Sequence, residues 1–201
     1  MTDKLRKLHL GCFDQIFAGW VNTDISPHIF IAMIPGLSYL LLKCGILSQK
    51  RYKQHQQGIF RSISYMDVTK KFPYRDEKFD CVFCSHLLEH MYQKKAVVLV
   101  KEVYRVLKKG GILRISVPDL DKVVASYDSN HPEKFLDGIF EAKQKGDKNK
   151  HHWHYNMTSL AKLLNETGFS EIYRCEFRQG RCPDVDLIDN RPESLFMEAI
   201  K

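Results

Sequence analysis

Between Ile25 and Met66 the chain has no aspartate or glutamate at all, although Lys43, Lys50, Arg51, Lys53 and Arg61 fall in that stretch. Nothing there repels an anion, so the segment suits an anionic membrane surface or an anionic acceptor, although a helical cover over a ligand crevice with a solvated basic face is the preferred reading. An internal repeat is missing too, as is any linker rich in Pro, Gly or Ser, which leaves one domain over 1–201. Long uninterrupted apolar runs are also wanting. The most apolar stretch, Ile29 to Leu47, is broken by Pro35, Gly36, Lys43 and Gly45, which argues against an integral span and for a broken helical hairpin. The opening MTDKLRK has none of the apolar core of a secretory leader. A cytoplasmic protein is therefore expected, with peripheral contact at the inner membrane surface through 29–61 as a further expectation. On the same grounds Cys12, Cys44, Cys81, Cys84, Cys175 and Cys182 are expected to be reduced thiols.

What is present is enough for a core. Of 201 residues 44% are hydrophobic and 27% charged, outside the range of disordered or fibrous chains. The net charge of +7 biases partners toward anions without choosing among them. Apolar runs alternate with helical spacing. Leu8 to Leu10, Trp20 to Ile25, Ser62 to Met66, Phe79 to Cys84, Ile112 to Val117, Glu171 to Phe177 and Ser194 to Ile200 read as strands. Ala96, Leu99, Val100, Val103 and Leu107 recur as on a helix, with Gly110 placed as its cap, and Leu160, Leu163, Leu164 and Gly168 repeat the pattern.

Strands separated by helices predict an α/β, Rossmann-like, doubly wound and mostly parallel sheet of about seven strands. A helical insertion at about 27–58 follows the second strand. In such sheets ligands bind beyond the carboxyl ends of the strands, where the strand order reverses. Gly11, Asp24, Asp67 and Ser85-His86 all fall at such ends, so four polar points are expected to meet in one crevice. Gly11 lets backbone approach a ligand. Only a short segment separates it from Asp24, which restricts any first helix to a turn or two. Asp24 can accept both hydroxyl hydrogens of a ribose; capping the Ser-Pro segment that follows is its alternative role.

The run Asp67-Val68 to Phe72-Pro-Tyr, then Phe79-Asp80, then Ser85-His86-Leu-Leu-Glu89-His90, is followed by Leu107-Lys-Lys-Gly110-Gly111 and Pro118-Asp119. It resembles the class I S-adenosylmethionine-dependent methyltransferases, within them the small ones associated with cell-surface polysaccharide biosynthesis. The likeness covers roughly residues 5–26 and 60–120. It implies S-adenosylmethionine as cofactor and S-adenosylhomocysteine as product. It also implies that Gly11 lies under the amino acid part of the cofactor, that Asp24 takes the ribose hydroxyls, that Asp67 and Val68 border the adenine, and that Ser85 and His86 border the methionine end. Phe13 departs from the pattern, standing where the family usually has a second glycine.

Methyl transfer to an oxygen or nitrogen of a small-molecule or saccharide acceptor is the activity so implied. His86 is the first candidate for general base or acceptor-orienting group and His154 the second. The stretch 150–156, with His151, His152, Trp153, His154 and Tyr155, can line an acceptor pocket; in the plainer reading it is a loop with Trp153 plugging the core. His86, Glu89 and His90 share a face if helical. Helix-start packing is preferred there over a metal site, and no metal is expected. Cys81 and Cys84, three apart on a strand, point to opposite faces and cannot share an ion. Two other readings remain: a non-catalytic nucleoside-binding or scaffold protein, and an RNA methyltransferase. For the latter no RNA-binding module is visible, and nucleic acid is not the expected partner.

Overall fold

The computed structural model describes residues 5–140 and 150–201. Seven strands form one sheet: β1 (Lys7–Leu10), β2 (Trp20–Asp24), β3 (Ile63–Tyr65), β4 (Phe79–Ser85), β5 (Leu107–Val117), β6 (Glu171–Cys175) and β7 (Leu195–Ile200). Their order is β3-β2-β1-β4-β5-β7-β6. β1 to β5 pair in parallel, whereas β7 runs antiparallel to both β5 and β6. The strand order reverses between β1 and β4, and that reversal places the crevice.

The three helices of the insertion are α1 (His28–Met33), α2 (Leu37–Lys43) and α3 (Gln49–Gln56). α2 contributes no buried residue, and Gly36 turns the chain into it with φ +77°. Ile29 alone is buried on α1, joining Cys12, Phe60 and Ile63 in a small core of its own. No helix follows β1; residues 11–19 form turns, as the short spacing to Asp24 requires.

One face of the sheet is covered by α4 (Gln93–Val106) and α7 (Met157–Glu166). α4 buries Ala96, Leu99, Val100, Val103 and Val106 on one stripe, and α7 buries Leu160, Leu163 and Leu164. These pack on Leu8, Leu10, Val82, Cys84, Leu113 and Ile115, the alternate residues of the central strands. Asn156 and Ser159 close a reciprocal capping box at the start of α7. Gly110 does not cap α4 as expected. The helix passes directly into β5 at Leu107, which pairs with Phe79, and Gly110 (φ +72°) falls in the irregular stretch before Ile112 pairs with Cys81.

The opposite face has no long helix among the described residues. Residues 176–190, with the one-turn α8 (Val185–Ile188), lie over it. Trp20, Cys81, Phe83, Cys182 and Ile188 cluster there, so Cys81 and Cys84 occupy opposite faces as their spacing predicts. At its centre Arg114, fully buried in β5, donates to Asp189, Glu198 and the carbonyls of Gln179 and Glu176. Glu198 also accepts from the Tyr173 hydroxyl and from the amides of Arg181 and Cys182. A Cβ on Gly180 would come within 2.6 Å of Arg114 Nη1, so only glycine lets the loop approach the network. Buried charges persist because each has its partners. α5 (Leu120–Ala125) and α6 (Pro132–Phe140) complete the described helices.

Candidate functional site

β1 ends at Gly11, whose φ of +62° suits glycine, and a Cβ there would stand 3.0 Å from Leu87 Cδ2. Both the backbone and the space exclude a side chain. The amide of Cys12 then donates to the Thr23 carbonyl at 3.0 Å, tying the turn to β2. Phe13 also adopts a left-handed conformation, φ +50°. Its amide donates to Asp24 Oδ2 at 2.9 Å, while Asp24 Oδ1 accepts from the Ser26 amide at 2.7 Å. Capping and ligand presentation are thus combined in Asp24: two amides fix the carboxylate, and each oxygen keeps a lone pair to accept from a ligand.

The Phe13 ring is 46% exposed and lies under the Arg51 guanidinium, whose carbon is 4.4 Å from the ring centroid. Arg51 Nη1 in turn donates to Asp14 Oδ2 at 2.7 Å. The ring therefore faces the insertion and is not among the residues that line the crevice.

That crevice is a cavity of about 750 Å³ at the strand carboxyl ends, within the range of cofactor pockets. Gly11, Asp24 and Ile25 line one side, Met66, Asp67, Val68 and Thr69 another, and Leu87, His90, Met91, Tyr92, Lys150 and His152 the rest. Asp67 Oδ1 accepts from the Thr69 amide at 3.0 Å and its hydroxyl at 2.7 Å. Burial pushes the Asp67 carboxyl up, but these bonds and Lys70 outweigh it and hold its pKa below the usual carboxylate range. Tyr92 and His152 stack at 4.3 Å between centroids on the rim.

Gly11, Asp24, Asp67 and Val68 thus meet at the cavity, whereas Ser85 and His86 do not line it. The reason is local. His86 has φ +46°, its amide donates to the Ser116 carbonyl at 2.9 Å, and this backbone turns the imidazole toward β7. There Nε2 lies 2.8 Å from Ser194 Oγ and Nδ1 lies 3.1 Å from Glu89 Oε1. Ser85 Oγ accepts from Ser116 Oγ at 2.8 Å. His86 instead lines a second cavity of about 310 Å³, with Asp119, Lys122, Ser126, His151, Arg191, Glu193 and Ser194 among its walls.

His154 lines neither cavity; its Nε2 lies 2.6 Å from the Ile139 carbonyl. Trp153 is not the core plug of the 150–156 stretch: it is exposed, and Tyr155 is buried in its place, paired with Asp119 through a backbone bridge. Leu87, Met91, Tyr92 and Thr69 were missed by sequence reasoning. Their only signal was position, immediately after the ends of β3 and β4.

Residues 43–115 match the family described as a methyltransferase domain. Among solved structures, a SAM-dependent methyltransferase from Thermotoga maritima is similar at TM-score 0.55 and 17% identity, over 98% of this chain and 82% of that one. One from Archaeoglobus fulgidus is similar at TM-score 0.56 and 15% identity, over 99% and 87%. PigF, solved with SAH, is similar at TM-score 0.54 and 13% identity, over 98% of this chain and 50% of its own. The chain has the fold of the class I S-adenosylmethionine-dependent methyltransferases. No curated protein matches it. The methyltransferase cofactor fits the 750 Å³ cavity on structural grounds as well: a glycine cradle that a Cβ would fill, and a carboxylate held by two amides at the rim.

Proposed function

We propose that this protein is an S-adenosylmethionine-dependent methyltransferase that transfers a methyl group to an oxygen or nitrogen of a saccharide or polysaccharide precursor. The observation that carries the reading is the meeting of Gly11, Asp24 and Asp67 in one cavity at the strand ends, with a separate polar cavity beyond the Leu87–His90 turn. S-adenosylmethionine supplies the sulfonium-bound methyl group. The protein's part is to align the two reactants and keep water out.

Asp24, fixed by the Phe13 and Ser26 amides, accepts the ribose hydroxyls. Gly11 admits the cofactor's amino acid part against the backbone, and Asp67 and Val68 border the adenine. In the second cavity Asp119, Lys122, Ser126, Arg191 and Glu193 offer donors and acceptors of both signs, which suits a polyhydroxylated acceptor. His86 is the group we assign to take the acceptor proton, since it reaches that cavity and has the Glu89 carboxylate 3.1 Å from Nδ1. His154, held on the Ile139 carbonyl and lining neither cavity, is not assigned that role.

A second reading concerns placement. Phe30, Met33, Ile34, Tyr39, Leu40 and Ile46 are exposed on the insertion, and the segment that bears them has cations and no acid. Among the described residues no helix is long and apolar enough to cross a membrane. We infer peripheral contact of this face with anionic lipid.

The test is calorimetry with S-adenosylhomocysteine, followed by a methyl-release assay on saccharide acceptors and on RNA. Binding that Asp24→Ala weakens, with turnover on a saccharide, supports the proposal. Absence of cofactor binding, or turnover on RNA alone, overturns it. For placement, sedimentation with vesicles should rise with the anionic lipid fraction; indifference to lipid charge removes the inferred contact.

A further inference from the structure

Glu89 is fully buried, and neither of its carboxylate oxygens has a hydrogen bond. His86 Nδ1 lies 3.1 Å from Oε1, on the side toward the second cavity. A buried carboxylate without hydrogen bonds is costly, and in native proteins such a group is normally paired, protonated or bound to a metal.

The backbone around Glu89 brings two imidazoles to it. Its carbonyl accepts from the amides of His152 at 2.8 Å and Trp153 at 3.2 Å, which docks the 150–156 segment onto the turn after β4. As a result one ligand atom each from Glu89, His90 and His151 lie within 4.8 Å of one another. His90 is oriented further: its Nδ1 lies 3.2 Å from the Lys150 carbonyl. A carbonyl can only accept, so the proton sits on Nδ1 and the Nε2 lone pair is left for another partner. This is how histidine ligands are set in metal sites, with one nitrogen donating to a carbonyl and the other facing the ion. His154 adds a third imidazole, packed edge-on to His151 at 5.1 Å between centroids.

We propose that Glu89, His90 and His151 bind a divalent transition metal of the zinc class. Two imidazoles and one carboxylate with a free fourth position form a donor set that zinc takes with bonds of about 2.1 Å. Tetrahedral bonds of that length put ligand atoms about 3.4 Å apart, so the three groups close inward by about 1 Å on binding. His90 lines the cofactor cavity and His151 the second cavity, so the ion ties the 150–156 segment to the turn after β4. The inference rests on this geometry alone and not on the identity of the acceptor.

The full chain, stripped of metal with a chelator, is titrated with Co²⁺ while its visible absorption is followed, and then with Zn²⁺ in competition. One equivalent should bind with Kd below about 1 µM and raise the melting temperature. His90→Ala and His151→Ala should each lose at least about tenfold in affinity, and Glu89→Gln likewise. His28 and His55, whose rings approach at 3.1 Å between nitrogens, form the control pair: His55→Ala should bind as wild type does. His151 is only partly buried, on the irregular 150–156 segment, so His151→Ala decides the matter if the Glu89 variant fails to fold. Absence of saturable one-to-one binding, or an affinity unchanged by His151→Ala and His90→Ala, overturns the proposal. S-adenosylhomocysteine binding measured in the same samples separates failure here from failure of the methyltransferase reading.

Discussion

The backbone amide of Phe13 donates to the carboxylate of Asp24 at 2.9 Å, so the residue standing where a glycine is usual helps hold the acid assigned to the ribose. Main chain makes that bond, and the ring is turned onto Arg51. A left-handed conformation costs a residue such as Phe about 1–2 kcal/mol relative to glycine, and stacking on a guanidinium returns about 0.5–1 kcal/mol. Phe13→Gly should therefore change stability little and S-adenosylhomocysteine affinity by less than about threefold, since the amide remains (about 0.6 kcal/mol at most). Asp24→Ala should weaken the same binding at least about tenfold with a smaller effect on the melting temperature. Calorimetry on both variants checks this. A large gain in affinity for Phe13→Gly would mean that the ring obstructs the cavity after all.

Arg114 should be the costliest single position in the sheet. Removing it leaves the buried carboxylates of Asp189 and Glu198 without their cation. Breaking a buried pair from one side costs about 3–5 kcal/mol. Lys162→Ala, which removes an exposed i,i+4 pair with Glu166, should stay within about 0.5 kcal/mol. Urea denaturation of Arg114→Met beside Lys162→Ala measures the contrast. Similar midpoints for the two would show that the 176–190 loop is not held by this network.

Much of the cofactor cavity was legible because strand ends are local signals: an apolar run followed by Gly11, Asp24 or Asp67 needs no knowledge of the rest of the chain. The parallel, doubly wound sheet follows from the alternation of strands and helices and the insertion from its broken apolar pattern, whereas the antiparallel place of β7 between β5 and β6 does not. Side-chain direction at His86 was not legible. It depends on a left-handed backbone at a non-glycine residue, which spacing does not encode. Nor was the Arg114 network, whose partners lie 75 and 84 residues away. Trp153 and Tyr155 were misordered because composition alone does not say which aromatic of a short stretch turns inward; the backbone pairing of Tyr155 with Asp119 decides it.

His9 should govern the acid side of stability. It is buried between Phe17 and Phe83, and burial lowers its pKa to about 4 although Asn22 Oδ1, 3.2 Å away, opposes the shift. The folded form keeps it neutral, whereas the unfolded chain takes up a proton near pH 6.5. Stability is then full above about pH 6.5 and falls as pH drops toward 4, by about 3 kcal/mol at most from this residue. His28 and His55, also depressed by burial, act in the same direction. Carboxylates such as Asp67 contribute only below about pH 5, so the interval from 5 to 6.5 belongs to the histidines. Denaturation at pH 5.0, 5.75, 6.5 and 7.25 should show the slope, and His9→Gln should flatten it. An unchanged slope in that variant would assign the effect elsewhere.

The thiols should divide sharply by reactivity. Cys44 is exposed at the end of α2, whereas the other five cysteines are buried. Burial raises the Cys12 thiol to about 12, with the Asp24 carboxylate adding to it, and it raises Cys84 as well. Cys182 is raised first by its hydrogen bond with Cys81, whose sulfur lies 2.9 Å away, and then by burial. The thiolate is the nucleophile, so these groups lack both access and charge at neutral pH. Iodoacetamide at pH 7.5 should label Cys44 at the rate of a free thiol and leave the other five unmodified over the same period, read by peptide mass spectrometry. Adding denaturant should bring all six to a common rate. Prompt labelling of Cys12 in the native protein would mean that the β1 turn opens to solvent, and with it the floor of the cofactor cavity.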